Sequence, residues 1–97
     1  MNGIIGILES YRADILTLRL RNDLDGIKAK KSELVKKLRL KVNYLSLPKD
    51  KIAGINSLID DIEKADDPDT IIKLINDLID RIKAYTLDFG NGNGKSM

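Results

Sequence analysis

Apolar residues recur at spacings of three and four along most of the chain, and this spacing constrains the fold more than any other feature. Ile4, Leu8, Tyr11 and Ile15 begin the pattern, and residues so spaced lie on one face of an α-helix. No segment shows the strict alternation of apolar and polar residues that is typical of a strand. A chain of 97 residues forms one domain with a modest core. The sequence therefore predicts an all-α protein, a small helical bundle.

The N-terminal half allows two helix arrangements. A second apolar face starts with Ile5, Leu16 and Leu20 and stays in helical phase well beyond them, which favours one long helix, continuous or kinked, from about residue 3 to residue 46. The opposing signal is a group of Asn, Asp and Gly residues near 22–26, because Asn and Asp cap helices and Gly weakens a helix interior by roughly 1 kcal/mol. A break there is the alternative, and it would produce a four-helix bundle.

The C-terminal half uses one kind of helical segment twice. INSLIDDIEKA at 55–65 and INDLIDRIKAY at 75–85 are identical at six of eleven aligned positions, and the shared Ile and Leu residues fall on one helix face. Between the two segments, Asp67 fits a helix N-cap and Pro68 fits the first helical position. We therefore expect an antiparallel helical hairpin that packs against the N-terminal helix.

The ends of this hairpin follow from proline and glycine. Its first helix is expected to begin near Pro48, because proline ends the preceding helix and suits a first turn. Its second helix is expected to end near Asp88, since the Gly and Asn residues that follow do not sustain a helix. The sequence thus predicts a single helical domain at 1–89 and a flexible tail at 90–97.

Positive charge is concentrated in one segment. Residues 1–51 contain twelve basic and six acidic residues, whereas residues 52–97 contain five and nine. The segment 28–41 alone has seven bases and one acid. One interpretation is that these bases flank a helix interface and face the acidic residues of the hairpin. Those acidic residues are Asp60, Asp61, Glu63, Asp77 and Asp80.

The second interpretation of the basic segment is a nucleic-acid-binding surface. Each phosphate contact would release counterions and make binding strongly dependent on salt. The residues proposed for this surface are Lys28, Lys30, Lys36, Lys37, Arg39 and Lys41. Lys31 falls within the apolar face, so its ammonium group must reach solvent or find a partner.

Several apolar residues are expected to face outward and contact a partner. Leu40 and Tyr44 point away from the apolar face of their helix, and Ile5, Leu16 and Leu20 form the second face described above. A continuous N-terminal helix would span about 65 Å, against about 30 Å for the hairpin, and half of it would lie uncovered. A protein partner or a homodimer would cover this surface.

Some functions are disfavoured by composition. The chain has no Cys and no His, which removes thiolate nucleophiles, the commonest general base and the commonest transition-metal ligands. We therefore expect no catalytic residue, metal, cofactor or small-molecule substrate. No stretch approaches the roughly 18 apolar residues of a membrane span, and no Trp or Phe accompanies the lysines, so we expect no membrane partner and a cytoplasmic location.

Taken together, these features predict a non-enzymatic protein-interaction module, an adaptor or accessory subunit of a larger assembly that forms homo-oligomers. The alternative is a nucleic-acid-binding regulator that uses the basic segment. The absence of Gln beside many Ile, Lys and Asp residues is typical of heat-adapted proteins and equally of AT-rich genomes.

Overall fold

The computed structural model describes the backbone of residues 2–94 and the side chains of residues 3–85. Within residues 2–94 the chain forms four helices and no strand, which confirms the predicted all-α bundle. The break in the N-terminal half is present, so the four-helix alternative holds and the preferred single long helix is wrong. The helices are α1 (Asn2–Leu20), α2 (Leu24–Val42), α3 (Lys49–Lys64) and α4 (Pro68–Gly94).

Each helix lies beside its neighbours in sequence, and α4 also lies beside α1. Side-chain contacts show that all these neighbours are antiparallel. On α1, Tyr11 contacts α2, Arg12 Nη1 donates to Asn76 Oδ1 of α4 at 2.6 Å, and Arg19 Nε lies 2.7 Å from Asp69 Oδ1. The result is an elongated up-down-up-down bundle of 51 × 21 × 18 Å. One end holds the α1–α2 and α3–α4 turns, and the other holds the α2–α3 connection.

The α1–α2 turn reverses the chain in three residues. Asn22 has a φ of 55°, its N–H donates to the Arg19 carbonyl at 3.1 Å, and the Asp23 N–H donates to the Leu18 carbonyl at 3.0 Å. This pair of bonds is the Schellman motif, which ends a helix with one left-handed residue. Asn22 takes the position usually held by Gly, because Asn tolerates a positive φ better than most residues.

Asp23 then begins α2 as its N-cap. Its Oδ1 accepts a hydrogen bond from the Gly26 N–H at 2.9 Å, which satisfies one of the free donors at the helix start. A Cβ at Gly26 would lie 2.6 Å from Asp23 Oδ2, so a larger residue there would require the Asp23 side chain to move. The reversal folds α1 back onto α2 and α4, and the half-uncovered long helix predicted from the sequence does not exist.

The α3–α4 turn agrees with the prediction from the sequence. Asp67 Oδ2 accepts from the Thr70 N–H at 2.9 Å and from its hydroxyl at 3.0 Å, and Pro68 is the first residue of α4. These hydrogen bonds, led by the one from the backbone N–H, lower the pKa of Asp67 from its ordinary value. An N-cap carboxylate at this turn is therefore held in its charged form.

The remaining helix ends differ slightly from expectation. Pro48 is the N-cap of α3, which begins at Lys49 rather than at the proline itself. The last helix continues through Gly94, past its predicted end near Asp88. The predicted flexible tail therefore overlaps the end of α4, and its last three residues, 95–97, lie outside the described residues.

The core is built almost wholly from Ile and Leu. In the repeated segments, the buried side chains recur at matching places, so the repeat is a way of packing. Exposed polar residues occupy the opposite faces of these helices. Among residues 3–85 the buried apolar side chains are Ile4, Leu8, Tyr11, Ile15, Ile27, Leu34, Val35, Leu38, Val42, Ile55, Ile59, Ile62, Ile71, Ile75, Leu78, Ile79 and Ile82.

Candidate interaction surfaces

Large apolar side chains are exposed at two places on the bundle. The first, called here the basic patch, lies on the C-terminal half of α2 and the turn that follows it. It consists of Leu40, Tyr44, Lys36, Lys37 and Lys41. The second, called the turn patch, lies at the α1–α2 turn. It consists of Leu16, Leu20 and Leu24 with their charged neighbours Arg21, Asp23 and Asp25.

The apolar part of the basic patch stands clear of the core. Leu40 is 66% exposed and Tyr44 is 84% exposed. Lys36 and Leu40 are four residues apart on the outer side of α2, and Tyr44 follows in the turn just beyond Val42, where the helix ends earlier than the predicted residue 46. Leu40 and Tyr44 are both exposed to solvent, as the sequence predicted.

The lysines of the basic patch keep their charge available. Lys36 and Lys41 make no hydrogen bond, ion pair or ring contact with any residue that the structure describes. Lys37 Nζ lies 5.3 Å from the centroid of the Tyr11 ring. Its pKa is raised by hydrogen bonding and charge interaction with Tyr11 and, to a smaller extent, by the charge of Glu33. The patch therefore carries three cations at neutral pH.

Acidic residues near this part of the bundle are already engaged. Glu33 Oε1 accepts from the Tyr11 hydroxyl at 3.1 Å. Asp60 Oδ1 and Glu63 Oε1 of α3 lie 2.9 and 2.7 Å from Arg39 Nη2. These contacts, led by the hydrogen bond to Asp60, raise the pKa of Arg39. Lys36 and Lys41 therefore remain without a carboxylate partner among the described residues, and Lys37 forms no ion pair there.

Two further bases of the segment, Lys30 and Lys31, contact neighbouring helices. Lys30 Nζ lies 3.7 Å from Asp14 Oδ2 and 5.6 Å from the centroid of the Tyr11 ring. Lys31 Nζ donates to the carbonyls of Glu63 at 2.9 Å and Ala65 at 2.7 Å, at the C-terminal end of α3. A cation at this end of a helix is favoured by the helix dipole. The expectation that Lys31 would find a partner is confirmed.

The six residues predicted to bind nucleic acid therefore do not form one free surface. Lys30, Lys37 and Arg39 are engaged with α1 or α3, whereas Lys28, Lys36 and Lys41 have no partner among the described residues. At about 100° per residue, these three free lysines point in directions about 80° and 140° apart. The free charge of the segment is spread around α2.

The predicted pairing of this segment with the acidic hairpin holds only for α3. Asp60 and Glu63 meet Arg39 as expected, but no ion pair to the basic segment is found for Asp61, Asp77 or Asp80 in the described part of the chain. The reason is topological, because α2 lies beside α1 and α3, and α4 closes the ring on the other side. The α4 carboxylates therefore lie away from α2.

The turn patch carries charges of both signs. Leu20 is 81% exposed, Leu24 60% and Leu16 39%. Arg21 supplies positive charge, and Asp23 and Asp25 supply negative charge beside the leucines. Leu24 was not among the predicted contact residues. It could have been found only by placing the helix break before it, which makes it the exposed first residue of α2.

Ile5 does not belong to either patch. It is partly buried and packs against the core, so its predicted role as an exposed contact residue is not supported by its position. The other two members of the predicted N-terminal face, Leu16 and Leu20, are exposed. The predicted face is therefore divided between core packing at one end of α1 and the turn patch at the other.

Two open clefts accompany these surfaces. One of about 310 Å³ lies between α2 and α3, and one of about 230 Å³ lies between α1 and α2. Arg39 and Glu63, which line the larger cleft, are already paired with each other.

In the described part of the chain, no group of three His, Cys, Asp or Glu residues could hold a metal ion. No described helix is long and apolar enough to cross a membrane.

Comparisons with known proteins do not identify a relative. The chain matches no protein-family model, no curated protein and no solved structure. Its function is therefore inferred from the surface chemistry of the bundle.

Proposed function

We propose that the protein is a non-enzymatic interaction module, an adaptor or accessory subunit that binds proteins through the basic patch and the turn patch. The observation that carries this proposal is the exposure of five large apolar side chains in two groups. The core is filled without them, so they contribute little to folding. Grouped apolar side chains on the surface of a small domain are typical of protein-binding sites.

The separation of the two patches supports an adaptor. Leu24 and Leu40 lie near opposite ends of α2, a helix of 19 residues, and are about 24 Å apart along its axis. Two partners could bind the two patches without touching each other. Because α2 is packed between α1 and α3, it would hold both partners at a fixed spacing.

The proposal is tested by capture of partners with matched variants as bait. Extract from the source cells is passed over the immobilised full chain, over Leu40→Ser/Tyr44→Ser and over Leu20→Ser/Leu24→Ser, and bound proteins are quantified by mass spectrometry. We expect each double variant to lose a different set of proteins, while Lys73→Ala on the exposed side of α4 loses none. Identical sets from all four baits would contradict the proposed surfaces.

A nucleic-acid-binding regulator is the second candidate, and the three unpaired lysines favour it. Binding to labelled single- and double-stranded DNA is measured by fluorescence anisotropy at about 50 and 200 mM salt. If Lys28, Lys36 and Lys41 each contact one phosphate of duplex DNA, the affinity should fall with a log–log slope of about −2.7. Absence of binding at the lower salt concentration would exclude this function.

A further inference from the structure

We propose that the basic patch binds an acidic amphipathic helix of a partner protein, with Leu40 and Tyr44 against its apolar face and the lysines against its carboxylates. The inference rests on the proposed function and specifies the chemistry of the partner at one of the two surfaces. Two observations support it: the arrangement of the apolar residues and the positive charge around them. That charge also disfavours other ligands.

The arrangement of the apolar residues fits a helix. Leu40 lies on α2, and Tyr44 follows four residues later in the turn just beyond the helix end, where Asn43 keeps helical backbone angles. The two exposed side chains therefore follow each other in a short row at close to helical spacing. An amphipathic helix presents its own apolar side chains at the same spacing, so two such helices can pack along their length. The row is short, and we therefore expect an affinity in the micromolar range rather than tighter.

The charge around the row selects an acidic helix. Lys36 and Lys41 lack partners among the described residues, and Lys37 is held over the Tyr11 ring. Carboxylates along the margin of a partner helix would neutralise all three cations. Such exposed pairs contribute mainly to association rate and specificity, whereas burial of Leu40 and Tyr44 contributes most of the affinity.

Other occupants fit this patch less well. A second copy would place one set of lysines against another, because the patch has no free carboxylate of its own, and like charges disfavour such a contact. Duplex DNA would meet the lysines with phosphates, but its apolar groups lie within the grooves and would cover Leu40 poorly. An acidic amphipathic helix satisfies both halves of the patch.

The test uses the full-length protein and a synthetic probe. The probe is a fluorescein-labelled helical peptide of about 18 residues with Leu on one face and Glu on its margins, and a scrambled peptide of equal composition is the comparison. We expect saturable micromolar binding of the amphipathic peptide and binding at least tenfold weaker for the scrambled peptide. Raising salt from about 50 to 200 mM should weaken the binding of the amphipathic peptide.

Variants assign the site. Leu40→Ser/Tyr44→Ser and Lys36→Glu/Lys41→Glu should each weaken binding at least tenfold. The matched controls Leu20→Ser/Leu24→Ser and Lys73→Glu, which change the same residue types elsewhere, should stay within twofold. Circular dichroism checks that every variant is folded, and amide chemical shifts of the ¹⁵N-labelled protein should change chiefly at residues 36–44 when the peptide is added.

Three results would overturn the inference. These are no saturable binding at low salt, equal binding of the scrambled peptide, and amide shifts centred outside α2. If duplex DNA displaces the peptide and binds the same residues more tightly, the ligand of the basic patch is nucleic acid and not an acidic helix. If the peptide fails while Leu40→Ser/Tyr44→Ser still loses partners in the capture experiment, the interaction function stands and only the acidic-helix partner is wrong.

Discussion

The basic patch and the turn patch both expose leucines, but their charged surroundings differ. Around Leu40 and Tyr44 all the free charges are positive, because neighbouring carboxylates are engaged by Arg39 or Tyr11. Around Leu20 and Leu24 both signs are present, with Arg21 between the leucines and Asp23 and Asp25 beside Leu24. Exposed apolar area alone would make the two places equivalent as binding sites.

The charged surroundings indicate which partner each patch can accept. A contact between two identical copies related by a two-fold axis brings the same surface against itself. At the turn patch, Arg21 of one copy could meet Asp25 of the other, whereas at the basic patch only lysines would meet. The predicted homo-oligomer, which no longer has an uncovered long helix to bury, is therefore expected at the turn patch.

The largest expected effect is the difference in stability between two substitutions on α2, at Leu38 and at Leu40. Leu38 is fully buried and Leu40 is exposed. Leu38→Ala should lower the free energy of unfolding by about 2–5 kcal/mol because it leaves a cavity, whereas Leu40→Ala should change it by no more than about 0.5 kcal/mol. Urea denaturation followed by circular dichroism measures both. A large loss for Leu40→Ala would show that the basic patch serves folding rather than binding.

Exchange of charge sharpens the assignment of the basic patch. If attraction to carboxylates selects the partner, Lys36→Glu/Lys41→Glu should bind a peptide in which Lys replaces every Glu at least tenfold more tightly than it binds the acidic probe. The unchanged protein should show the opposite preference. Anisotropy titrations at low salt compare the four combinations. If the preference does not change, the lysines do not select the partner.

Alanine substitutions at two glycines test how much the Asp23 cap stabilises the turn that forms the turn patch. A Cβ at Gly6 meets no atom within 4 Å, whereas one at Gly26 would displace the Asp23 cap. Gly6→Ala should stabilise the protein by about 0.5–1 kcal/mol, and Gly26→Ala should be about 1 kcal/mol less stable than Gly6→Ala because the cap is lost. Thermal and urea unfolding give both values. Equal stabilisation would show that the Asp23 cap has little energetic weight.

The smallest effect concerns self-association. Three leucines cover less than the roughly 800 Å² per partner of a stable interface, so a dimer through the turn patch should be weak and depend on concentration. Sedimentation equilibrium across a wide concentration range should detect it, and Leu20→Ser/Leu24→Ser should abolish it. Leu40→Ser/Tyr44→Ser serves as the control. If only the control variant prevents dimerisation, the assignment of the two patches is reversed.

The helix boundaries that the sequence predicted correctly are those marked by characteristic capping residues. Asp67 and Pro68 mark the start of α4 correctly because an N-cap and a following proline are both recognisable residue types. The reversal at Asn22 was only the alternative to one long helix, for two physical reasons. Its left-handed residue is Asn rather than Gly, and a break of three residues is close to one helical turn, so the apolar phase continues almost unchanged across it.

The surfaces were predicted in part. The exposure of Leu40 and Tyr44 could be predicted because they lie opposite the apolar face, and that face is recognised from residue spacing alone. The coverage of Ile5 depends on which helices are neighbours, and that order is set by the turn at Asn22. The same missing information led to the incorrect pairing of the basic segment with Asp77 and Asp80.

The contact between α1 and α4 has a consequence for the order of folding. Arg12 and Asn76 are 64 residues apart in the chain, whereas Tyr11 and Glu33 are 22 apart. Closing the longer loop costs about 1 kcal/mol more conformational entropy, so we expect helices that follow each other in the chain to pair before α1 meets α4. A destabilised α1–α4 contact would open the bundle between its first and last helices and leave α1 free to pack on α4 of a second copy.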